Sequence, residues 1–127
     1  MPLVRIDIRK GHAPEYKRAI LDGVHAALVE AFKIPDHDRN QILHEHAAEN
    51  FEGRGAAPTI VSITAFSGRS RAAKRALFAA IARNLAAEPG IEGTDLLMTV
   101  NDLPLDNWGI RGGQQASDLD LGFKIDV

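Results

Sequence analysis

Two stretches of the chain have the hydrophobic pattern of β-strands. Residues 3–8 alternate, with apolar side chains at the even-numbered positions and polar or apolar ones between them, which predicts a strand with one buried face. Residues 59–66 form an apolar, β-branched run that is typical of a central strand. A proline, Pro2, precedes the first strand, at a position where a strand tolerates it.

Two amphipathic helices are predicted after these strands. Pro14 is suited to the first turn of a helix, and prolines at 35 and 89 end the two periodic segments. Apolar residues recur at helical spacing in both segments: Ile20, Leu21, Val24, Ala27, Leu28 and Ala31 in the first, and Leu77, Phe78, Ile81 and Leu85 in the second.

The chain contains an internal repeat. An offset of about 57 residues aligns Val4 with Val61, Gly11 with Gly68, residues 17–19 with 74–76, and Asp38 with Asp95. Each copy reads as strand, helix, strand, with closing strands predicted near 41–46 and 95–100. We therefore interpret residues 1–127 as one domain that contains two β-α-β units, at approximately 2–46 and 59–103.

This pattern predicts an α+β fold in which the duplicated β-α-β unit forms a four-stranded sheet with two helices on one face. The other face of the sheet is left uncovered, which predicts oligomerisation. Residues 47–57 are expected to be a loop, and residues 105–113 a loop or bulge. Alternating apolar residues then predict a C-terminal edge strand: Leu119, Leu121, Phe123, Ile125 and Val127.

Composition excludes several functional classes. The net charge of −2 gives no support to nucleic acid or to an anionic membrane as a partner. The absence of cysteine excludes disulfides and thiolate chemistry. No stretch has the pattern of a signal peptide or the length of a membrane span. We therefore expect a cytoplasmic protein.

Arginines and an aspartate stand next to predicted strand ends. Arg69 and Arg71 lie at the start of the second helix, where side chains and free N–H groups can bind a carboxylate. The alternative is that both arginines are solvated. Asp38 lies just before a strand and, taken alone, fits a turn or capping residue better than a catalyst.

Other candidates have weaker patterns. His44 and His46 share one strand face, but no third ligand has a recognisable spacing, so we predict no metal. Trp108 and Phe123 fit either the wall of a substrate pocket or ordinary packing. No nucleophile elbow and no phosphate-binding loop is present.

Five stretches occur in a characteristic order: residues 1–6, Pro-x-x-Asp-Arg-x-Gln-Ile at 35–42, His-Glu-His at 44–46, Gly-Arg-Ser-x-x-x-Lys-Arg-Ala-Leu at 68–77, and Asp-Asn-Trp at 106–108. Together they resemble the tautomerase superfamily, in particular the long-chain members similar to malonate semialdehyde decarboxylase. The resemblance implies a homotrimer, no cofactor and a catalytic N-terminal proline. Pro2 matches that proline, Asp38 the aspartate that orients water, and Arg69 the arginine that binds the substrate carboxylate.

The chain departs from this pattern at several positions. The decarboxylase has Arg-Pro-Arg where this chain has Ser-Gly-Arg at 67–69, and our hypothesis is that Arg71 replaces the missing arginine. Asn40 stands where many relatives have tyrosine. Val29 and Gln115 occupy the positions of the histidine and glutamate used by the related dehalogenases, which argues against dehalogenation.

The favoured hypothesis is an enzyme in which Pro2 is the general base for keto–enol tautomerisation of a small 2-oxo acid. Arg69, with Arg71 and Trp108, would bind this carboxylate-bearing substrate. Decarboxylation of a 3-oxo acid such as malonate semialdehyde by the same residues is the alternative. A third hypothesis is a non-catalytic trimeric binding protein, which applies if Met1 is retained, because an acylated proline nitrogen is not a base.

Overall fold

The computed structural model describes residues 2–127. Most of the described chain belongs to two long helices and four long strands, followed by a short strand pair. In chain order the elements are β1 (Leu3–Arg9), α1 (Pro14–Phe32), β2 (Gln41–His46), β3 (Thr59–Phe66), α2 (Arg71–Ala87), β4 (Leu96–Leu103), β5 (Gly109–Ile110) and β6 (Gln114–Gln115).

The four long strands form one mixed sheet in the order β2-β1-β3-β4. β1 is parallel to β2, and β3 is parallel to β4, as two β-α-β units require. The units meet through an antiparallel pairing of β1 with β3, with Ile6 opposite Val61. The predicted α+β class and the duplicated unit are confirmed.

The core lies between the sheet and the two helices. Even-numbered residues of β1 and odd-numbered residues of β3 are almost fully buried and pack against both helices. The helices touch at Gly23, where a Cβ would lie 2.9 Å from Leu85 Cδ2 and would force that side chain to shift. The two helices therefore cover the same face of the sheet, as predicted.

The opposite face of the sheet carries no helix within the described chain, and at one end Phe51 from the loop after β2 packs there against His46 and Arg9. Its apolar residues include Ile42, which is 41% exposed, and Leu97, which is 63% exposed. Such a face is normally buried against another chain. The structure thus retains the feature from which oligomerisation was predicted.

The C-terminus differs from the prediction. Residues 119–127 form no strand, and the additional strand pair is instead the antiparallel β5–β6 hairpin. Alternate residues from Leu121 to Val127 are half-buried, so the apolar pattern correctly predicted which side chains face the protein. A strand also needs a ladder partner, whereas this segment runs over the turn before α2, where Val127 O accepts hydrogen bonds from Ser70 N and Ser70 Oγ.

Within residues 2–127, no helix has the length and apolar character needed to cross a membrane.

Candidate active site

Four strand ends meet at one end of the sheet, which we call the site end. β1 and β2 begin there, and the Val4 N–H donates to Asn40 O over 2.9 Å at their start. β3 ends there, because Leu3 pairs with Thr64 in the antiparallel ladder. β4 runs parallel to β3 and ends beside it. Segments that are distant in sequence are therefore close at the site end.

Three of the predicted site residues come from these segments. Pro2 directly precedes β1 and is buried. Asp38 lies two residues before the Asn40 carbonyl that bonds to β1, and its exposed fraction is only 9%. Arg69 follows β3 and is 6% exposed, so it is not the solvated arginine of the alternative interpretation.

The Arg69 guanidinium is held on two sides. Its Nη1 donates to Phe66 O over 3.2 Å, and its Cζ lies 4.9 Å from the centroid of the Phe32 ring. Its Nε and Nη2 are buried and have no hydrogen-bond partner among residues 2–127. A buried donor without a partner costs free energy unless a ligand binds it. Two donors of one guanidinium are thus available for a planar anion such as a carboxylate.

The charge of Arg69 is balanced by two acidic residues. Burial lowers the pKa of the Arg69 guanidinium from its ordinary value, while Asp102 and Asp38 act in the opposite direction. An arginine stays protonated in proteins, so the site end carries a buried cation that interacts electrostatically with Asp102 and Asp38.

Asp38 belongs to a turn as well as to this cluster. Its N–H donates to Pro35 O over 3.0 Å, and its Oδ1 accepts from Asn40 Nδ2 over 3.3 Å. It lines a cleft of about 250 Å³ that also includes Phe123 from the C-terminal segment. The cleft joins the start of β2 to the part of the chain that was predicted to be an edge strand.

Trp108 and Arg71 lie near the site end without touching Arg69. The Trp108 ring packs edge-on against Phe66 at 4.9 Å between centroids, and its indole N–H donates to Leu103 O over 3.3 Å. Arg71 is exposed at the first residue of α2. No described contact joins Arg71 to Arg69, and its substrate-binding role stays a prediction.

The two histidines of β2 lie on the uncovered face. Their rings are 6.4 Å apart, and His46 Nε2 donates to Asp7 Oδ1 over 2.6 Å. Within residues 2–127 no cluster of three or more potential ligands surrounds them. His46 therefore takes part in a hydrogen bond within the sheet.

An ion pair that sequence reasoning did not find also lies at the site end. Lys74 of α2 donates to Oδ2 of Asp102, which is the penultimate residue of β4. The signal for it was in the repeat: the 57-residue offset places Lys17 on Lys74 and Glu45 on Asp102. Lys17 and Glu45 form the equivalent ion pair in the first copy, with 3.1 Å between the atoms.

Comparisons with known proteins agree with this fold. Two family models, both described as tautomerase enzymes, match residues 38–111 and residues 2–56. The chain belongs to the tautomerase family, and the resemblance inferred from the sequence is confirmed. A probable tautomerase of Bacillus subtilis (strain 168), YrdN, is 32% identical over 122 residues, which are 90% of this chain and 94% of that protein.

Solved structures give the same result. A fused 4-OT wild-type symmetric trimer has a TM-score of 0.82 and 30% identity, over 91% of this chain and 96% of that one. A malonate semialdehyde decarboxylase inhibited by 3-bromopropiolate has a TM-score of 0.78 and 33% identity, over 94% and 98% of the two chains. The family is therefore shown over nearly the whole chain.

Proposed function

We propose that this tautomerase-family protein uses the amine of Pro2 to catalyse keto–enol tautomerisation of a small 2-oxo acid, and that Arg69 binds the substrate carboxylate. The observation that carries the proposal is the buried Arg69 guanidinium with two unpartnered donors, Nε and Nη2. A carboxylate would satisfy both donors at once.

Arg69 would also favour the reaction itself. Removal of a proton beside a carbonyl generates an enolate, whose negative charge a fixed cation in a dry site stabilises more strongly than water does. The Phe32 ring and the Phe66 carbonyl hold the guanidinium before substrate arrives, so little reorganisation is needed. Trp108 and Arg71 are further candidates for substrate binding.

Pro2 would supply the base. A free α-amine titrates near pH 8, and burial together with the positive charge of Arg69 would disfavour the protonated form of Pro2. A neutral amine at neutral pH is a competent general base. This role requires removal of Met1, which lies outside the described residues. Asp38 would orient water near the amine.

Ketonisation of phenylenolpyruvate tests the proposal. The wild-type protein should catalyse it, and Pro2→Ala and Arg69→Ala should each lower kcat/KM by about 10²-fold or more. Arg83→Ala, which removes an exposed arginine paired with Glu30 on the helices, should leave kcat/KM unchanged and serves as the control. Full activity in Pro2→Ala would refute the mechanism.

Intact mass of the purified protein separates the enzyme from the binding-protein alternative. The enzyme requires a mass that lacks Met1, because only then is the Pro2 nitrogen a secondary amine. Retention of Met1 in the native protein, together with no turnover, would favour a non-catalytic trimeric binding protein.

Decarboxylation of malonate semialdehyde is the second candidate. It is favoured by the 33% identity to the decarboxylase that 3-bromopropiolate inhibits. It is disfavoured by Ser67, which stands where the decarboxylase has an arginine. Parallel assays with malonate semialdehyde and phenylenolpyruvate decide between decarboxylation and tautomerisation. The supported reaction is the one that has the larger kcat/KM in the wild type and loses it in Pro2→Ala. A covalent 3-bromopropiolate adduct on the N-terminal peptide would locate the reactive amine in either case.

We further propose that the protein is a homotrimer. The uncovered face of the sheet with Leu97 and Ile42 supplies apolar surface for an interface. The fused 4-OT relative with 30% identity is a symmetric trimer.

A further inference from the structure

The unpartnered buried polar atoms of the described chain are concentrated at the site end. Among residues 2–127, four side-chain atoms are buried without a hydrogen-bond partner: Arg69 Nε, Arg69 Nη2, Asp102 Oδ1 and Gln41 Nε2. Three are donors, and Asp102 Oδ1 is an acceptor. A carboxylate alone would satisfy the donors of Arg69 but would repel Asp102. Arg69 and Asp102 together call for a ligand that has both a carboxylate and a hydroxyl donor.

The sheet register places Asp102 near Pro2. Asp102 pairs with Ala65 in β4 and β3, and both side chains project toward the helices, since Ala65 is in the core and Asp102 contacts Lys74 of α2. Leu3 pairs with Thr64, so Pro2 is the next residue along the antiparallel ladder, toward Ala65. Ala65 and Asp102 thus lie side by side in β3 and β4, and Pro2, which precedes β1, continues from the Leu3–Thr64 pair on the side of Ala65.

Lys74 binds only one oxygen of Asp102. The Lys74 ammonium donates to Oδ2, while Oδ1 stays without a partner. An ionised carboxylate only accepts hydrogen bonds. Asp102 is one of the two acidic residues that counter the lowering of the Arg69 pKa by burial.

The first copy of the repeat shows that the ion pair alone does not make such a site. Lys17 and Glu45, the equivalent pair, lie at the other end of the sheet. The position equivalent to Arg69 is His12, whose ring stacks on Tyr16 at 3.8 Å. None of these first-copy residues has a buried unpartnered side-chain atom. The unpartnered acceptor next to unpartnered donors is specific to the second copy, where Pro2 is also present.

We propose that Asp102 is a further catalytic residue, whose Oδ1 accepts the hydroxyl proton of a 2-hydroxy-2-alkenoic acid, the enol of a 2-oxo acid, while Arg69 holds the carboxylate. The catalytic part of this inference rests on the proposed function. In ketonisation, the enol O–H proton passes to Asp102 Oδ1 and leaves an enolate, and Asp102 transfers this proton through solvent to the neutral amine of Pro2. The enolate oxygen then forms the C2=O bond, while the C2=C3 electron pair takes the proton from Pro2 at C3. Asp102 and Pro2 both return to their starting states, so the net change is an isomerisation.

Equilibrium binding tests the hydroxyl acceptor without requiring turnover. Mandelate and phenylacetate differ by one 2-hydroxyl group, and calorimetric titration gives their affinities for the full-length protein. We expect mandelate to bind about tenfold more tightly, as for a hydrogen bond to a charged acceptor. Asp102→Ala should abolish the preference, and phenylacetate should bind this variant at least as tightly as the wild type, because its carboxylate is no longer repelled by Asp102. Arg69→Ala should weaken both ligands.

Two further variants separate chemistry from structure. Asp102→Asn keeps an acceptor oxygen but cannot take a proton, so it should retain part of the mandelate preference and lose about 10²-fold or more in kcat for phenylenolpyruvate. Glu45→Ala removes the equivalent ion pair of the first copy and should change neither quantity. Thermal unfolding and sedimentation of each variant check that fold and assembly are intact.

The outcomes are distinguishable. A wild-type protein without a mandelate preference, or an Asp102→Ala variant that keeps it, overturns the inference even if Pro2-dependent turnover is present. Equal weakening of both ligands by Asp102→Ala also overturns it, because that result indicates a structural role. A third outcome is a protein without turnover whose preference for mandelate nevertheless depends on Asp102. This result would refute the proposed enzyme and its proton transfer, and it would support the hydroxyl-binding site.

Discussion

The guanidinium carbon of Arg69 lies 4.9 Å from the centroid of the Phe32 ring, and this stack joins the two copies of the repeat. Phe32 is the last residue of α1, in the first copy, and Arg69 precedes α2, in the second. Both side chains are buried, which strengthens the attraction between a cation and an aromatic face. The cation that we propose binds the substrate is thus held by a residue from the other half of the chain.

Arg69→Lys should fail to replace arginine at this position. An ammonium lacks the planar fork that stacks on Phe32 and presents two parallel donors to a carboxylate. We expect kcat/KM for phenylenolpyruvate to fall at least tenfold in Arg69→Lys, and by about 10²–10³ in Arg69→Ala. Arg71→Ala should cost less than Arg69→Ala, because Arg71 is exposed. Steady-state kinetics of the three variants check this order, and a larger loss at Arg71 would reverse the assignment.

Much of the fold could be predicted from the sequence because the same β-α-β unit occurs twice in the chain. The alternation in β1, the helical stripes and the 57-residue offset each indicate the same β-α-β unit, and local patterns that agree are informative. The burial of Arg69 could not be predicted. It depends on Phe32 and on the C-terminal residues that cover the turn before α2, which are distant in sequence.

The C-terminal segment and the Lys74–Asp102 ion pair are two further features that could not be predicted from the sequence. Alternating residues fix which side chains face inward, but they do not identify a strand partner, and here Val127 bonds to the α2 N-terminus. Asp102 lies just beyond the strand predicted near 95–100, where a polar residue is expected to be solvated. Its ion pair with Lys74 appears only when α2 packs against the end of β4.

Tyr16 is expected to titrate above its ordinary value. Burial raises the pKa of the Tyr16 hydroxyl, and the carboxylate of Asp95 raises it further. A group whose pKa is raised by folding stabilises the protein fully below its unfolded pKa of about 10, and this contribution is lost as the pH rises through the folded value. Tyr16 is the only tyrosine in the chain, so the ultraviolet absorbance of tyrosinate reports it directly.

The native titration midpoint should therefore lie above that of the urea-unfolded chain. In Tyr16→Phe, the free energy of unfolding should decline less between neutral pH and the alkaline limit than in the wild type. A native midpoint at or below the unfolded one would contradict the burial of this hydroxyl.

Gly55 should not tolerate alanine. Its φ is +77°, and a Cβ on it would lie 1.6 Å from Asp95 Oδ1, whose carboxylate also accepts the Ala57 N–H. Gly55→Ala should lower the free energy of unfolding by roughly 1–3 kcal/mol from backbone strain, with displacement of Asp95 adding to the loss. Gly93 has open space at its Cβ position, so Gly93→Ala should be neutral or stabilise by about 0.4–1 kcal/mol. Denaturant unfolding of both variants tests the contrast.

Leu97→Lys should disrupt the proposed trimer. Leu97 is 63% exposed on the uncovered sheet face, next to Ile60 in the β3–β4 ladder. A charge placed in an apolar interface must be desolvated on assembly, and an unpaired buried charge is strongly unfavourable. Sedimentation velocity should show three times the chain mass for the wild type and a shift toward the monomer for Leu97→Lys.

Ala86→Lys provides the matched control, because Ala86 is exposed on α2, on the helical side of the molecule. It adds the same charge without entering the proposed interface, so its sedimentation should equal that of the wild type. If Leu97→Lys remains at the wild-type mass, the uncovered face does not form the interface. If Ala86→Lys dissociates instead, the chains assemble through their helices.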